Sequence, residues 1–178
     1  MYRVTTAIHV HFSHHVRGHA GPCISVHGHT WKLELSLEAA ELDSQGFVLD
    51  FDIVHERLLV PTHHLLDHSF AIGSKSYAEA EGSLTQLGQI LVASRRETLG
   101  DLGEAPFHLD GELHGARNHL PGGMKVTVFP FTPTSERLAQ WFFEAAHDLL
   151  ADDRVRIASA RVYESLHPVP TFAEYVPA

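Results

Sequence analysis

The chain has 178 residues, of which 44% are hydrophobic and 20% charged, a composition typical of a folded domain and not of a disordered or fibrous chain. Its formal net charge of −9, with no run of Lys or Arg, argues against nucleic-acid binding through phosphate neutralisation. No apolar stretch approaches the roughly 20 residues of a membrane span, and the first residues lack a secretory signal pattern. With Cys23 as its single cysteine, we expect a cytoplasmic protein without a disulfide.

Two strands are predicted near the start of the chain. Apolar and polar residues alternate over 1–14 and again over 27–39, which is the period-2 pattern of a half-buried strand. After a short turn over 47–51, a short helix is predicted over about 52–59, with Pro61 as its stop.

A helix over 83–99 is predicted in the middle of the chain, with Ser83 as its N-cap and Gly100 as its stop. Four elements follow it: a strand over 124–129, a helix over 134–150 and strands over 155–164 and 172–176. This order of elements, interrupted by a long insert at about 71–132, predicts one α+β domain over 1–178 with an antiparallel sheet.

Three of the 16 histidines lie at the ends of the two predicted N-terminal strands. His27 and His29 are two residues apart on one strand, so both imidazoles point to the same side. His14 ends the other strand on its apolar face and comes close to them if the strands form a hairpin. Three imidazoles and one open position are the ligand set of a catalytic zinc site. His15 is a rival third ligand, although its parity places it on the opposite face.

Three further positions carry chemistry that a site of this kind uses. Cys23, in a loop with Gly and Pro, is a candidate general base, nucleophile or fourth metal ligand, or else a small buried hydrophobe. Asp67 beside His68 has the pattern of a carboxylate that orients a proton-relaying imidazole, or of a pair on a surface loop. Glu164, at the end of a strand, either accepts two N–H donors from a planar heterocycle or faces solvent.

These motifs, in this order, resemble the 6-pyruvoyltetrahydropterin synthase / 6-carboxytetrahydropterin synthase family. The segments that carry the resemblance are Phe12-Ser13-His14, Cys23-x3-His27-Gly28-His29, Asp50-Phe51, Leu66-Asp67-His68, Pro133-Thr134-Ser135-Glu136 and Tyr163-Glu164. The resemblance covers about 1–70 and 124–170. Three residues separate the cysteine from the first histidine of this motif. This spacing resembles that of the bacterial carboxy-forming branch of the family.

The resemblance implies a tunnelling fold, in which an antiparallel four-stranded sheet carries two helices on one face. It also implies a homohexamer, because in this family three subunits close their sheets into a barrel and two trimers stack. It implies three sets of site residues: the Zn²⁺ ligands His14, His27 and His29, the catalytic residues Cys23, Asp67 and His68, and the pterin-ring anchor Glu164.

The activity that the resemblance implies is that of a zinc-dependent lyase acting on a small-molecule pterin. It would convert 7,8-dihydroneopterin triphosphate to 6-carboxy-5,6,7,8-tetrahydropterin, with release of acetaldehyde and triphosphate, on the route to 7-deazaguanine and queuosine. Formation of 6-pyruvoyltetrahydropterin, or another reaction of a reduced-pterin side chain, is the alternative within the same fold. A non-catalytic, histidine-rich metal-binding protein is the alternative from another class.

The chain departs from the family pattern in three places. One is the short loop between His14 and Cys23, in which His15 follows His14 in place of the common Arg-Leu. The insert over about 71–132 is expected to form a lid, a subunit contact or decoration. Ser69-Phe70-Ala71 stands where the family usually has Leu-Asn after Asp-His. Arg17 and Lys32 are the candidate cations for the triphosphate.

Overall fold

The computed structural model of the protein describes residues 1–100, 108–109 and 111–178, so residues 101–107 and 110 of the expected insert lie outside the described residues. The strands of the described part are β1 (Tyr2–His14), β2 (His27–Ala39), β3 (Phe70–Gly73), β4 (Glu112–Leu113), β5 (Ala116–His119), β6 (Val126–Phe129), β7 (Val155–Ser165) and β8 (Thr171–Tyr175). Its α-helices are α1 (Phe51–Val54), α2 (Val60–Leu66), α3 (Ser74–Leu99) and α4 (Ser135–Leu150). Among the described residues, no helix combines the length and the hydrophobicity that crossing a bilayer requires.

The described strands form one sheet in the order β4-β5-β6-β3-β1-β2-β7-β8. β3 pairs in parallel with both β1 and β6, whereas the pairs β2/β7, β4/β5, β5/β6 and β7/β8 are antiparallel. The α+β class is confirmed, but the prediction of a four-stranded antiparallel sheet is wrong. The segment from Phe70 to Phe129 adds four strands, and the crossover that it contains allows β3 and β6 to pair in parallel.

The chain divides into two compact units. The first unit comprises Met1–Val10, His29–His63 and Thr134–Ala178. In this unit α4 begins at Thr134, whose side chain accepts a hydrogen bond from the amide of Arg137. Leu138, Trp141 and Phe142 recur on one buried face of the helix, as its helical period predicts.

The helix that follows Asp50 is longer than predicted. The Asp50 side chain caps α1 by accepting from the amide of Asp52, but the chain stays helical through Leu66 instead of stopping at Pro61. A wide π-helical turn over His55–Leu59 joins α1 to α2, and the amide of Val60 bonds to the carbonyl of His55, five residues back. This turn shifts the hydrogen-bond ladder where the proline, which has no N–H, would otherwise break it.

The second unit comprises His11–Gly28 and His64–Pro133. Its apolar cluster is formed by Ile72 from β3, Leu84 from α3 and Val126 from β6. α3 begins at Ser74 and not at the predicted Ser83, and it ends at Gly100, whose positive φ of 67° is the left-handed conformation that glycine favours. The predicted insert is therefore largely regular structure in its described part.

Candidate functional site

Three histidine side chains come together where β1 ends and β2 begins. The Nε2 atoms of His14 and His27 are 3.1 Å apart, and one ring nitrogen from each of His14, His27 and His29 lies within 4.8 Å of the others. His14 is buried, and the other two rings are half-buried. In the described part of the chain, this is the one group of three or more His, Cys, Asp or Glu side chains arranged to hold a metal ion.

The alternation of the two strands explains why these rings meet. Val10, Phe12 and His14 are the buried positions at the end of β1. In β2, the same side of the strand carries His27, His29 and Trp31, and the Trp31 ring packs edge-on against His29 with centroids 4.8 Å apart. The structure thus brings together the three rings that strand parity places on one side.

The rival ligand His15 is not a member of the group. Its ring lies 6.1 Å from the ring of Phe70, centroid to centroid, and it is half-buried. Burial and the nearby positive charge of Arg17 lower the pKa of His15. The structure therefore groups His14, and not His15, with His27 and His29.

Backbone carbonyls determine which nitrogen carries the hydrogen in two of these rings. Nδ1 of His14 donates to the carbonyl oxygen of Pro133 at 2.7 Å, and Nδ1 of His27 donates to that of Ser25 at 2.8 Å. Because a carbonyl only accepts, each Nδ1 bears a hydrogen, and in neutral rings both Nε2 atoms present lone pairs to each other. The two lone pairs repel each other, and a cation bound by both nitrogens would remove this repulsion.

The donor set fits zinc in its chemistry, and the His14–His27 pair also fits it in spacing. Neutral imidazole nitrogens are ligands that zinc favours, and Zn–N bonds of about 2.0–2.1 Å in a tetrahedron separate neighbouring nitrogens by about 3.3 Å. The observed 3.1 Å between the Nε2 atoms of His14 and His27 is close to that separation.

Asp67 and His68 form a hydrogen-bonded pair at the end of α2. Oδ2 of Asp67 lies 2.6 Å from Nδ1 of His68, so the carboxylate accepts the Nδ1 hydrogen and Nε2 is the nitrogen open to proton exchange. The His68 side chain is 72% exposed. The pair is attached to β1 at His11, whose amide donates to Oδ1 of Asp67 (3.2 Å) and whose carbonyl accepts from the amide of His68 (2.8 Å).

Sequence reasoning missed Lys125, whose side chain binds the backbone at the end of the helix that precedes this pair. Its Nζ donates to the carbonyl oxygens of His64 (2.6 Å) and Asp67 (2.9 Å). Burial lowers the pKa of the Lys125 ammonium, and the nearby Asp67 charge acts in the opposite direction. A single lysine at the start of the apolar segment 124–129 was the signal available in the sequence.

The other two predicted site residues lie outside the histidine group. Cys23 is half-buried in a single 3₁₀ turn over Pro22–Ile24, and its carbonyl accepts from the amide of Val16 at 2.8 Å. Because it does not belong to the group, the structure lends no support to Cys23 as a fourth metal ligand.

Glu164 is half-buried near the end of β7, where the pairing with β8 shifts register between Tyr163 and Ser165. Such an irregularity turns a side chain away from the regular alternation of a strand. Among the described residues, no side chain forms an ion pair or hydrogen bond with the Glu164 carboxylate.

Both candidate cations for the triphosphate are bonded to glutamates. Arg17 holds Glu79 through two hydrogen bonds, at 2.6 and 2.9 Å, and Lys32 forms an ion pair with Glu34. A role for either in binding the triphosphate would require these pairs to open.

Fold and site together define an α+β protein with a group of three histidines arranged to hold a metal ion and a separate carboxylate–imidazole pair. The family model for 6-pyruvoyl tetrahydropterin synthase matches residues 3–174, and the chain belongs to this family.

Individual relatives agree with this assignment. A 6-carboxy-5,6,7,8-tetrahydropterin synthase of Haemophilus influenzae is 25% identical over 183 residues, covering 98% of this chain and 99% of the relative. One of the same name from Bacillus subtilis is 25% identical over 79 residues, covering 44% of this chain and 51% of the relative. The match to the Haemophilus protein encloses residues 71–132, the segment that departs from the expected family pattern.

Two solved structures share the fold. An uncharacterized protein from Wolinella succinogenes has a TM-score of 0.62 at 19% identity, covering 99% of this chain and 98% of that one. The 6-pyruvoyl tetrahydropterin synthase of Caenorhabditis elegans has a TM-score of 0.56 at 11% identity, covering 99% and 96%. At these identities the likeness establishes the fold alone.

Proposed function

We propose that the protein is a zinc-dependent lyase that converts 7,8-dihydroneopterin triphosphate to 6-carboxy-5,6,7,8-tetrahydropterin, acetaldehyde and triphosphate. The observation that carries the proposal is the pair of facing Nε2 atoms on His14 and His27, 3.1 Å apart, in a chain of a pterin-synthase family. The names of the relatives from Haemophilus and Bacillus favour the carboxy-forming branch over the pyruvoyl-forming one.

The reaction balances without an external oxidant or reductant. One water is consumed, triphosphate leaves, and the bond between the first and second side-chain carbons breaks to release the two-carbon aldehyde. The first side-chain carbon is oxidised to the carboxylate. Its electrons reduce the dihydropterin ring and the departing two-carbon fragment, so substrate and water supply every atom of the products.

The proposed tasks of the residues follow from their chemistry. His14, His27 and His29 would hold the metal, which when bound supplies Lewis acidity toward the side-chain hydroxyls. Cys23 would take a proton from the carbon next to the ring, and His68 would exchange the complementary proton through its Nε2.

Two carboxylates would support these steps. Asp67 keeps the His68 hydrogen on Nδ1 through its 2.6 Å hydrogen bond, so the open nitrogen is always Nε2. Glu164 would accept two N–H donors of the pterin ring, since a carboxylate can receive a planar pair of hydrogen bonds.

The test is turnover by the purified, zinc-loaded protein, with acetaldehyde and the pterin product followed by mass spectrometry. Cys23→Ala is assayed beside it, and zinc content and circular dichroism establish that the variant still folds and binds metal. Acetaldehyde with 6-carboxytetrahydropterin, lost in the variant, supports the proposal. A pyruvoyl product without acetaldehyde would contradict the proposal and assign the activity to the pyruvoyl-forming branch.

Two other results would refute the lyase assignment. One is no turnover by protein that carries one zinc per chain, which would mean that another substrate is used. The other is several metal ions per chain together with no effect of Cys23→Ala on any measured property, as expected of a non-catalytic metal-binding protein.

We also propose that the chain assembles into a hexamer of two stacked trimers, as the family assignment suggests. Light scattering of the purified protein should then give a mass of about 119 kDa, six times the 19.8 kDa of one chain. A monomer mass would contradict this.

A further inference from the structure

Lys125 is a buried charge that the proposed chemistry does not use. The residue is 3% exposed, and a buried ammonium group is costly unless it is hydrogen-bonded. Its Nζ donates to the carbonyls of His64 and Asp67, at the C-terminal end of α2, where a positive charge is favoured. The side chain is therefore bound to the segment that carries the acid–base pair.

The main chain of Lys125 binds the other side of that segment. The amide of Phe70 donates to the Lys125 carbonyl at 3.1 Å. One residue thus contacts the chain before His68, through His64 and Asp67, and after it, through Phe70.

The backbone between these contacts adopts a conformation that needs support. His68 has a positive φ of 54°, in the left-handed region that residues with a Cβ rarely occupy. Such a conformation persists when its surroundings hold it in place. Here His11 holds the turn from β1, and Lys125 holds it from the segment that precedes β6.

The charge of Lys125 suits the chemistry of the pair. A nearby ammonium group favours the ionised form of the Asp67 carboxylate, which is the form that accepts the Nδ1 hydrogen of His68. The same electrostatic attraction opposes the lowering of the Lys125 pKa by burial.

We propose that Lys125 is a positioning residue that holds the Asp67–His68 pair in its proton-exchanging geometry. The inference rests on the proposed function, because it assigns a task in support of that acid–base pair. It also gives the region over about 71–132 a task, since that region would supply a support for the pair rather than a lid.

The decisive variant is Lys125→Met, which removes the ammonium group and keeps much of the side-chain volume. We expect kcat to fall by about 10- to 100-fold with KM nearly unchanged, because general acid–base steps depend on the placement of the proton-exchanging atom. The readout that is independent of turnover is amide hydrogen exchange in peptides covering 67–70. Exchange of the His68 and Ser69 amides should accelerate at least tenfold.

Thr127→Val is the matched control. Thr127 is fully buried two residues further along, and its Oγ1 donates to the carbonyl of Leu65 at 2.8 Å, also at the end of α2. It binds neither Asp67 nor its carbonyl. If both residues only support the end of the helix, kcat and amide exchange at 67–70 should change alike in the two variants. If Lys125 positions the pair, these two quantities should change in Lys125→Met alone.

Each outcome supports the inference or overturns it. Wild-type kcat and unchanged exchange in a folded Lys125→Met protein overturn it, as do equal effects of Thr127→Val. If the Met variant does not fold, Lys125→Gln, a shorter neutral side chain, is measured in its place and judged by the same criteria. If the wild-type protein does not turn over the pterin substrate, the proposed function fails, and hydrogen exchange alone then decides whether Lys125 positions the pair.

Discussion

Nδ1 of His14 donates a hydrogen bond to the carbonyl oxygen of Pro133, 2.7 Å away and 119 residues later in the chain. Pro133 immediately precedes Thr134, the N-cap residue of α4. A carbonyl that accepts from the second nitrogen of a ligand histidine fixes both its ring orientation and its tautomer. Pro133, the residue before this N-cap, thus orients the ring of His14, a predicted metal ligand on β1.

Replacement of His14 by Ala should abolish stoichiometric zinc binding. A protein that is purified with about one zinc per chain would lose it, because two remaining imidazoles do not complete the usual set of three protein ligands. Metal content by atomic emission, with zinc affinity by competition against a chelator, measures this.

The control for this prediction is His15→Ala, which changes the neighbouring histidine outside the group. It should keep the metal with an affinity close to that of the unmodified protein. Loss of zinc in the His15 variant and retention in the His14 variant would show that strand parity had identified the wrong ligand.

Glu164→Gln should weaken recognition of the pterin. A charged acceptor that loses its charge forfeits about 1.5–3 kcal/mol of hydrogen bonding, which corresponds to a fall in kcat/KM of about 10- to 150-fold. Steady-state kinetics with 7,8-dihydroneopterin triphosphate measures it, and zinc content should not change. Glu174→Gln on β8 is the control, since Glu174 accepts from Arg161 at 2.9 Å and has no assigned role in the site. Equal losses in both variants would argue against Glu164 as the anchor.

Strand and helix periodicity identified the elements that carry the three histidines. The predictions over 1–14 and 27–39 correspond to β1 and β2 within one residue, and the helix over 134–150 corresponds to α4. In these segments a long apolar face meets a core, so one regular pattern decides both local structure and burial. Strand parity determines on which side each ring lies, and the expected hairpin of the two strands then places His14 beside His27.

The predicted strands over 124–129, 155–164 and 172–176 correspond to β6, β7 and β8, whereas the elements that were missed or given wrong bounds have causes that are not local. The helix at Pro61 continues because the preceding turn widens, which no residue pattern signals. α3 starts at Ser74 after Gly73, which provides no side-chain cap. Gly82 lies inside this helix, although a glycine in a sequence is more typical of a helix end. The contacts of Lys125 with the carbonyls of His64 and Asp67 depend on the parallel pairing of β3 with β6 and could not be predicted from the sequence.

The ion pairs of Glu38 should make stability depend on pH. This carboxylate is 6% exposed and binds Arg3 and Arg156, and the hydrogen bond from Arg3 contributes most to lowering the pKa of Glu38. A lowered folded-state pKa stabilises the protein above the ordinary glutamate value of 4.5, and this contribution disappears as the pH falls through the lower folded-state value.

Glu38→Gln should therefore cost about 1 kcal/mol in the free energy of unfolding at pH 7, since both arginines are largely exposed. Urea denaturation of the two proteins between pH 7 and pH 3 measures the difference. It should stay constant down to about the ordinary glutamate value and then shrink. A difference that grows as the solution is acidified would contradict the ion-pair explanation.

Gly88 should be intolerant of a side chain, because α3 packs there against the turn over Pro121–Gly123. A Cβ at Gly88 would lie 2.2 Å from the carbonyl oxygen of Pro121, a backbone atom that cannot move aside without shifting the turn. Gly88→Ala should therefore destabilise the protein by about 1–3 kcal/mol. In a chain of this length that lowers Tm by roughly 2–4 °C for each kcal/mol.

The matched control is Gly82→Ala, six residues earlier in the same helix, where a Cβ would meet nothing within 4 Å. Alanine in an open helical position reduces the conformational freedom of the unfolded chain, so this variant should gain about 0.5–1 kcal/mol. Thermal and urea unfolding of the two variants should thus shift in opposite directions from the unmodified protein. A stabilised Gly88→Ala protein would mean that α3 and the turn are not in close contact.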